Sequence, residues 1–144
     1  MITRALLENL NDIMNIENAC FGSDAFSCYQ IAYLITRSKG LFLIAGHNGE
    51  IAGYISFIIS GRHNTGRIYS IAVSPNHRGA GIADALMNEA IGYAKEKRLR
   101  AIFLEVKIDN IAAIKLYKKK GFVVHSIKQN YYKDGTSAYS MVLR

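Results

Sequence analysis

Two features of this sequence place residues where they could do chemistry: a glycine-bearing turn ahead of a long amphipathic segment, and a lone carboxylate inside an apolar run. The turn reads Arg78-Gly79-Ala80-Gly81-Ile82-Ala83. Its glycines let the main chain come close to a ligand and aim several N–H groups at one point. A helix begun at Ile82 adds the positive end of its dipole, so the turn suits a pyrophosphate. No Gly-Lys-Ser/Thr follows, which excludes a P-loop, and Asp84 stands where a dinucleotide fingerprint needs a third Gly or Ala. Taken alone, such a turn also serves plain chain reversal.

The carboxylate is Glu105, in the run Ala101 to Val106. Ile102, Leu104 and Val106 share one face of a strand there, which puts Glu105 on the other face with Phe103. A helix-flanked parallel sheet has both faces covered, and an unpaired carboxylate in it is costly. Glu105 is therefore either a general base, acting directly or through water, or a strand-end carboxylate that is solvated or paired with Lys107.

The elements that must hold these residues can be read from spacing. Ile2 to Arg4 suits a short strand. Leu10, Ile13, Ile16 and Cys20 recur at three and four, an amphipathic helix in which Glu17 is a polar interruption. A second helix is expected over Phe26 to Arg37, with Ile31, Leu34 and Ile35 inward. Leu41 to Ala45 and Ile51 to Ile59 form a hairpin turned by Asn48-Gly49. Arg67 to Ser74 is a strand stopped by Pro75-Asn76. Ile82, Ala83, Leu86, Ala90, Tyr93 and Ala94 trace a helix that ends near Lys97-Arg98. Ala101 to Val106 follows as a strand, Asn110 caps a helix to Lys120, and Gly121 ends it. Phe122 to Ile127 and Ala138 to Leu143 close a sheet in the order β-α-α-β-β-β-α-β-α-β-β, with a parallel pair joined by the central crossover.

Composition narrows the classes. The 144 residues suit one domain, 1–144, and half of them are hydrophobic and a fifth charged, as in a globular protein. The longest apolar stretches fall far short of the ~18 residues of a membrane span. Met1-Ile2-Thr3-Arg4 runs into Glu8 and Asp12 with no apolar signal core, so a cytoplasmic protein is expected. Cys20 and Cys28 show no metal-ligand spacing; reduced, half-buried thiols and no metal are expected, and the scattered His47, His63, His77 and His125 read as surface residues. Residues 1–76 carry five bases and five acids, whereas residues 77–144 carry thirteen bases and six acids. A basic half draws an anion such as a phosphorylated cofactor, an acidic protein or nucleic acid, while Lys118-Lys119-Lys120 also fits a solvated helix face. No recognition motif and no aromatic row among the bases supports nucleic acid.

Longer motifs decide among these readings. Ile71-Ala72-Val73-Ser74-Pro75 followed by Arg78-x-x-Gly81-x-Ala83 resembles the acetyl-CoA-binding signature of the GNAT superfamily of N-acetyltransferases. Leu104-Glu105-Val106, Asn110, Ala112-Ala113-Ile114-x-Leu116-Tyr117 and Gly121-Phe122 resemble its second half. Asn130-Tyr131-Tyr132 is similar to a motif of the ribosomal-protein N-terminal alanine acetyltransferases. The resemblance is dense from Arg67 to Tyr132 and thin before it. It implies a mixed α/β fold, a mainly antiparallel sheet with a central parallel pair and about four helices. It also implies transfer of acetyl from acetyl-CoA to an amine, by direct attack in a ternary complex.

By the same resemblance, the main chain of Ile71, Ala72 and Val73 pairs with the pantetheine arm, and the Val73 N–H faces the thioester carbonyl. Gly79, Ala80, Gly81, Ile82, Ala83 and Asp84 cradle the pyrophosphate, Arg78 adds positive charge, and Asn110 meets the pantetheine while capping its helix. Glu105 becomes the base for the acceptor. Tyr117, otherwise a core aromatic, becomes the acid for the departing thiolate; a phenol near ~10 and a thiol near ~8.5 differ by only ~2 kcal/mol. Tyr131 and Tyr132 shape the acceptor groove, or are a plain aromatic pair at a strand end. A protein N-terminal α-amine is the expected acceptor, with a small-molecule amine or a lysine as alternatives. A non-catalytic acyl-CoA sensor is a further alternative, against which Glu105 and Tyr117 together argue. Relatives carry a Phe-Pro-Trp-Ser-like stretch where Phe21 to Ser27 stand here, and an acidic pair where Thr136-Ser137 stand. Both departures fall in the acceptor half.

Overall fold

The computed structural model describes residues 1–144. In chain order it has strand β1 (Ile2–Arg4), helices α1 (Leu10–Phe21) and α2 (Cys28–Thr36), and strands β2 (Gly40–His47), β3 (Glu50–Ser60) and β4 (Thr65–Val73). Helix α3 (Ile82–Glu96), strand β5 (Ala101–Lys107), helix α4 (Ile111–Lys119) and strands β6 (Val123–Lys128) and β7 (Ala138–Leu143) follow. The order is the expected one, and the boundaries move where a cap decides them. Helix α2 starts later than its apolar spacing suggests because Ser27 takes the N-cap. Its hydroxyl accepts from the Gln30 N–H at 3.2 Å, while Gln30 Oε1 accepts from the Ser27 N–H at 2.8 Å. Asn48 and Gly49 turn the β2–β3 hairpin with φ of 53° and 79°, the left-handed pair that such a tight turn requires.

The seven strands form one sheet in the order β1-β2-β3-β4-β5-β7-β6. Every neighbouring pair is antiparallel except β4–β5, which is parallel and brief: Thr65 pairs with Ala101, Gly66 with Ile102 and Arg67 with Phe103. Beyond Arg67 the two strands part. A bulge at Tyr69, where Ser56 faces Ser70 but Phe57 faces Ile68, bends β4 just past the junction. At the junction itself a Cβ on Gly66 would strike the Phe57 ring, so the absence of a side chain lets the ring lie over the place where the halves join.

Each face of the sheet has its own core. Leu86 and Met87 of α3 and Ile114 of α4 share one core with Ile55, Phe57, Ile68, Leu104 and Phe122, and Ile13 of α1 and Ile31 of α2 share the other with Phe42, Tyr54 and Ala72. Glu17 is no mere interruption of its helix stripe. It is 1% exposed and accepts hydrogen bonds from the Tyr54 hydroxyl, from the Ser70 hydroxyl at 3.1 Å and from the Phe26 N–H at 2.9 Å. A carboxylate at that depth needs such donors. Burial, and then the Glu17 charge, push the Tyr54 phenol far above its ordinary value. Of the two free thiols, Cys20 is half-buried as expected, but Cys28 is exposed, because the first turn of α2 faces solvent there. No helix is long and apolar enough to cross a membrane.

Candidate active site

The parting of β4 and β5 opens a cleft of about 660 Å³ between β4, the glycine turn and helix α4. Ile71, Ala72, Val73, Arg78, Gly79, Gly81, Ile82, Ala83, Asp84, Asn110 and Tyr117 all line it. Ala80 does not: flanked by Gly79 and Gly81 at φ of 85° and 76°, it is turned outward and exposed. Ser74 donates its N–H across to Ala52 O on β3 at 2.7 Å. Amide direction alternates along a strand, so the N–H and C=O of Val73 point to the parted edge, as do those of Ile71. There the Cys20 thiol donates to Val73 O at 3.5 Å. The cleft therefore offers unpaired strand amides at one end and a left-handed glycine turn leading into α3 at the other. That donor set fits a pantetheine arm and a pyrophosphate.

Side chains complete the cleft. Asn110 caps α4 by accepting from the Ala113 N–H at 3.2 Å, and so holds a fixed place on the wall. Asp84, in the first turn of α3, pairs with Lys120 at 2.7 Å and Lys119 at 3.7 Å, and hydrogen bonding to Lys120 holds its carboxyl below the usual range. Lys120 is thus largely buried against Asp84, whereas Lys119 lines the cleft with most of its side chain in solvent. Tyr117 is 7% exposed and reaches the cleft wall; burial, with no hydrogen-bond partner to offset it, pushes its phenol up to about 12. His77 differs from the surface reading. Its side chain is 12% exposed, its Nε2 lies 3.4 Å from Glu50, and it also lines the cleft.

Glu105 lies outside that cleft. Strand alternation sends it to the face away from α3 and α4, where it is ion-paired to Arg67 of β4 and, at 3.2 Å, to Lys128 of β6. Burial pushes its carboxyl up, but Arg67 and then Lys128 outweigh burial and hold it below the ordinary value. Lys107 is not its partner; it pairs instead with Asp24 at 3.3 Å and Asp134 at 3.2 Å. Tyr131 and Tyr132 meet edge-on at 5.0 Å beside this cluster, with Lys128 5.5 Å from the centre of the Tyr131 ring. The Tyr132 phenol is raised by burial first, then by Tyr131, Glu105 and Tyr117. Across from it, the Phe26 and Tyr69 rings pack at 6.0 Å.

Sequence reasoning missed Arg67, Lys128 and Glu17. The first two were visible only as charges, because their meeting with Glu105 depends on strand order and register. Glu17 did carry a signal, an acid on the apolar stripe of a helix.

Residues 10–122 match the acetyltransferase (GNAT) family. An N-alpha-acetyltransferase of Sulfurisphaera tokodaii is 31% identical over 151 aligned positions, covering 97% of this chain and 90% of that protein. Among solved structures, Ard1 from Thermoplasma volcanium superposes with a TM-score of 0.90 at 27% identity, over 99% of this chain and 95% of that one. The ribosomal-protein-S18-alanine N-acetyltransferase from Escherichia coli superposes with a TM-score of 0.88 at 26% identity, over 99% and 92%. The family match spans both strands that part to open the cleft and both helices that wall it, so the chain belongs to the GNAT acetyltransferase family, an enzyme that transfers acetyl from acetyl-CoA to an amine.

Proposed function

We propose that residues 1–144 act as one domain that acetylates the N-terminal α-amine of a protein or peptide, by direct attack in a ternary complex. The observation that carries this reading is the Tyr131–Tyr132 wall, linked to Glu105 through Lys128, which contacts both the carboxylate and the Tyr131 ring. The names of the relatives, an N-alpha-acetyltransferase and a ribosomal-protein-alanine acetyltransferase, support it. A cytoplasmic setting, where acetyl-CoA and new protein N-termini meet, fits it.

Acetyl-CoA supplies the activated carbonyl. The main chain of Ile71, Ala72 and Val73 aligns the donor, and the Val73 N–H meets the oxygen on which negative charge develops. A donor so placed supports roughly 10²–10³ in rate. The amides of Gly79 and of Gly81 to Asp84, with Arg78, hold the pyrophosphate, and Asn110 meets the pantetheine.

Glu105 receives the acceptor's proton. Two cations hold its carboxyl below the ordinary range, so it stays ionised and full transfer from an α-amine is uphill. Its role is to draw the proton through water while positive charge grows on nitrogen, not to hold the proton at rest. Tyr117, neutral because buried, donates to the departing sulfur. At about 12 its phenol releases the proton only as the thiolate forms. An α-amine is easier to use than a lysine near ~10.4 by roughly 3 kcal/mol.

The test is a competition between a peptide with a free N-terminus and the same peptide N-blocked with an internal lysine, with a polyamine alongside. Acetylation of the free α-amine is expected. Acetylation confined to the lysine or the polyamine overturns the acceptor assignment.

A further inference from the structure

The two halves of the sheet meet at three residue pairs, and the walls of the acceptor face come from opposite halves. Asp24, Phe26 and Tyr69 belong with β4: Glu17 of α1 holds the Phe26 N–H, and the Phe26 ring packs on Tyr69. Tyr131, Tyr132 and Asp134 belong to the β6–β7 connection. Lys107 joins these two loops, beside the Arg67–Glu105 pair that joins β4 to β5. Lys107, the last residue of β5, sets its Nζ 3.3 Å from Asp24 Oδ2, 3.2 Å from Asp134 Oδ2 and 5.0 Å from the centre of the Tyr132 ring. The Lys133 N–H also donates to Asp24, through Oδ1 at 3.1 Å, so both oxygens of that carboxylate are held by the opposite half. The Asp24 side chain is 14% exposed and that of Lys107 31%, so this contact is shielded more than an ordinary surface pair.

We propose that Lys107 is a positioning residue that sets the width of the acceptor groove, strapping the Gly22–Asp24 turn to the connection that carries Tyr131 and Tyr132. This rests on the reading that the amine enters between those walls on the Glu105 side. Lys107 touches neither thioester nor amine. Loss of its charge frees the two walls to separate, so acceptors bind less well, while the main-chain cleft for the donor stays as it is. Hydrogen bonds from Thr136, and then Lys107, hold Asp134 well down, at about 2, so the strap stays charged at any pH used for assay.

Lys107→Met keeps the length of the side chain and removes the charge. The expected result is an acceptor KM raised by roughly tenfold, about what one shielded and one exposed ion pair support together, with kcat within about twofold. Stabilisation by acetyl-CoA is unchanged, the Lys133 amide exchanges faster with solvent, and Lys107→Arg restores the KM. Unchanged acceptor KM in the Met variant, an equal loss of acetyl-CoA affinity, or failure of arginine to restore overturns the proposal. If Lys107→Met does not fold, Asp24→Asn serves: it should raise the same KM by about threefold, and an unchanged KM overturns the strap. If the wild type turns over another amine and not peptide N-termini, the acceptor assignment falls, and the strap is judged by the same KM ratios for that amine.

Discussion

The cleft and the face that carries Glu105 adjoin where β4 and β5 part, yet they are built from different material. The cleft is mostly main chain: strand amides left unpaired where β4 and β5 part, and a glycine turn feeding a helix N-terminus. The face around Glu105 is mostly side chain, with Arg67 meeting Glu105 across 38 residues and Lys128 meeting it across 23. A main-chain site follows from backbone conformation and survives many changes in neighbouring side chains. A side-chain site depends on strand register and loop contacts, and one substitution can reshape it.

The sharpest way to separate the two regions is Glu105→Gln. It should lower kcat/KM by roughly 10²–10⁴ while leaving the thermal shift given by acetyl-CoA unchanged. An equal loss of donor binding would break the distinction between the faces. Because Arg67 and Lys128 hold Glu105 low, the acid limb of the wild-type kcat/KM profile should follow the acceptor amine near ~8 and not a carboxylate. Stability carries the same sign. The depressed carboxyl contributes fully above the unfolded value of ~4.3, and that contribution is lost as pH falls through the folded one.

Gly81→Val is the counterpart on the donor side. At φ of 76° a β-branched residue is strained, and its side chain would fill open space that the pyrophosphate needs. Acetyl-CoA affinity should fall by about 10²-fold, seen by calorimetry, with a stability loss of roughly 1–3 kcal/mol from strain. Donor affinity within twofold of wild type would show that the turn does not carry the phosphates.

Tyr117→Phe should cost turnover about tenfold at near-normal acetyl-CoA binding, at the low end for one proton donor. It also has a readout in stability. The folded phenol at about 12 lies above the unfolded value of ~10, so its preference for the folded state is present below pH ~10 and lost as pH climbs toward 12. Wild type should lose stability over that window and the Phe variant lose less; identical alkaline melting curves would contradict the burial of this hydroxyl.

The smallest change in turnover is expected from Tyr54→Phe, which takes one donor from buried Glu17. Denaturant unfolding should show a loss of about 1–3 kcal/mol. Because Glu17 also holds the Phe26 N–H, the residual kinetic effect should appear in acceptor KM and not in donor KM.

Local rules are the part of this protein that its sequence determined by itself. Asn48-Gly49 had to turn a hairpin because left-handed conformations favour those residues. Asn110 had to cap α4, and Gly79 and Gly81 had to make the turn before α3, for reasons confined to a few neighbouring atoms. Element order and the parallel crossover were legible for that reason, and ten of the eleven positions expected to hold the donor line one cleft; the place of Ala80 depends on the direction of the turn itself. Period-two alternation also placed Glu105 off the apolar face, but it could not name the partners. Alternation put Lys107 on the same face two residues on, and only strand order, β4-β5-β7-β6, brought Arg67 and Lys128 to the carboxylate and left Lys107 to bridge two loops. Ion pairs between distant segments are individually weak and leave no local pattern. They form where burial and register have already set two backbones side by side, which only the folded sheet decides.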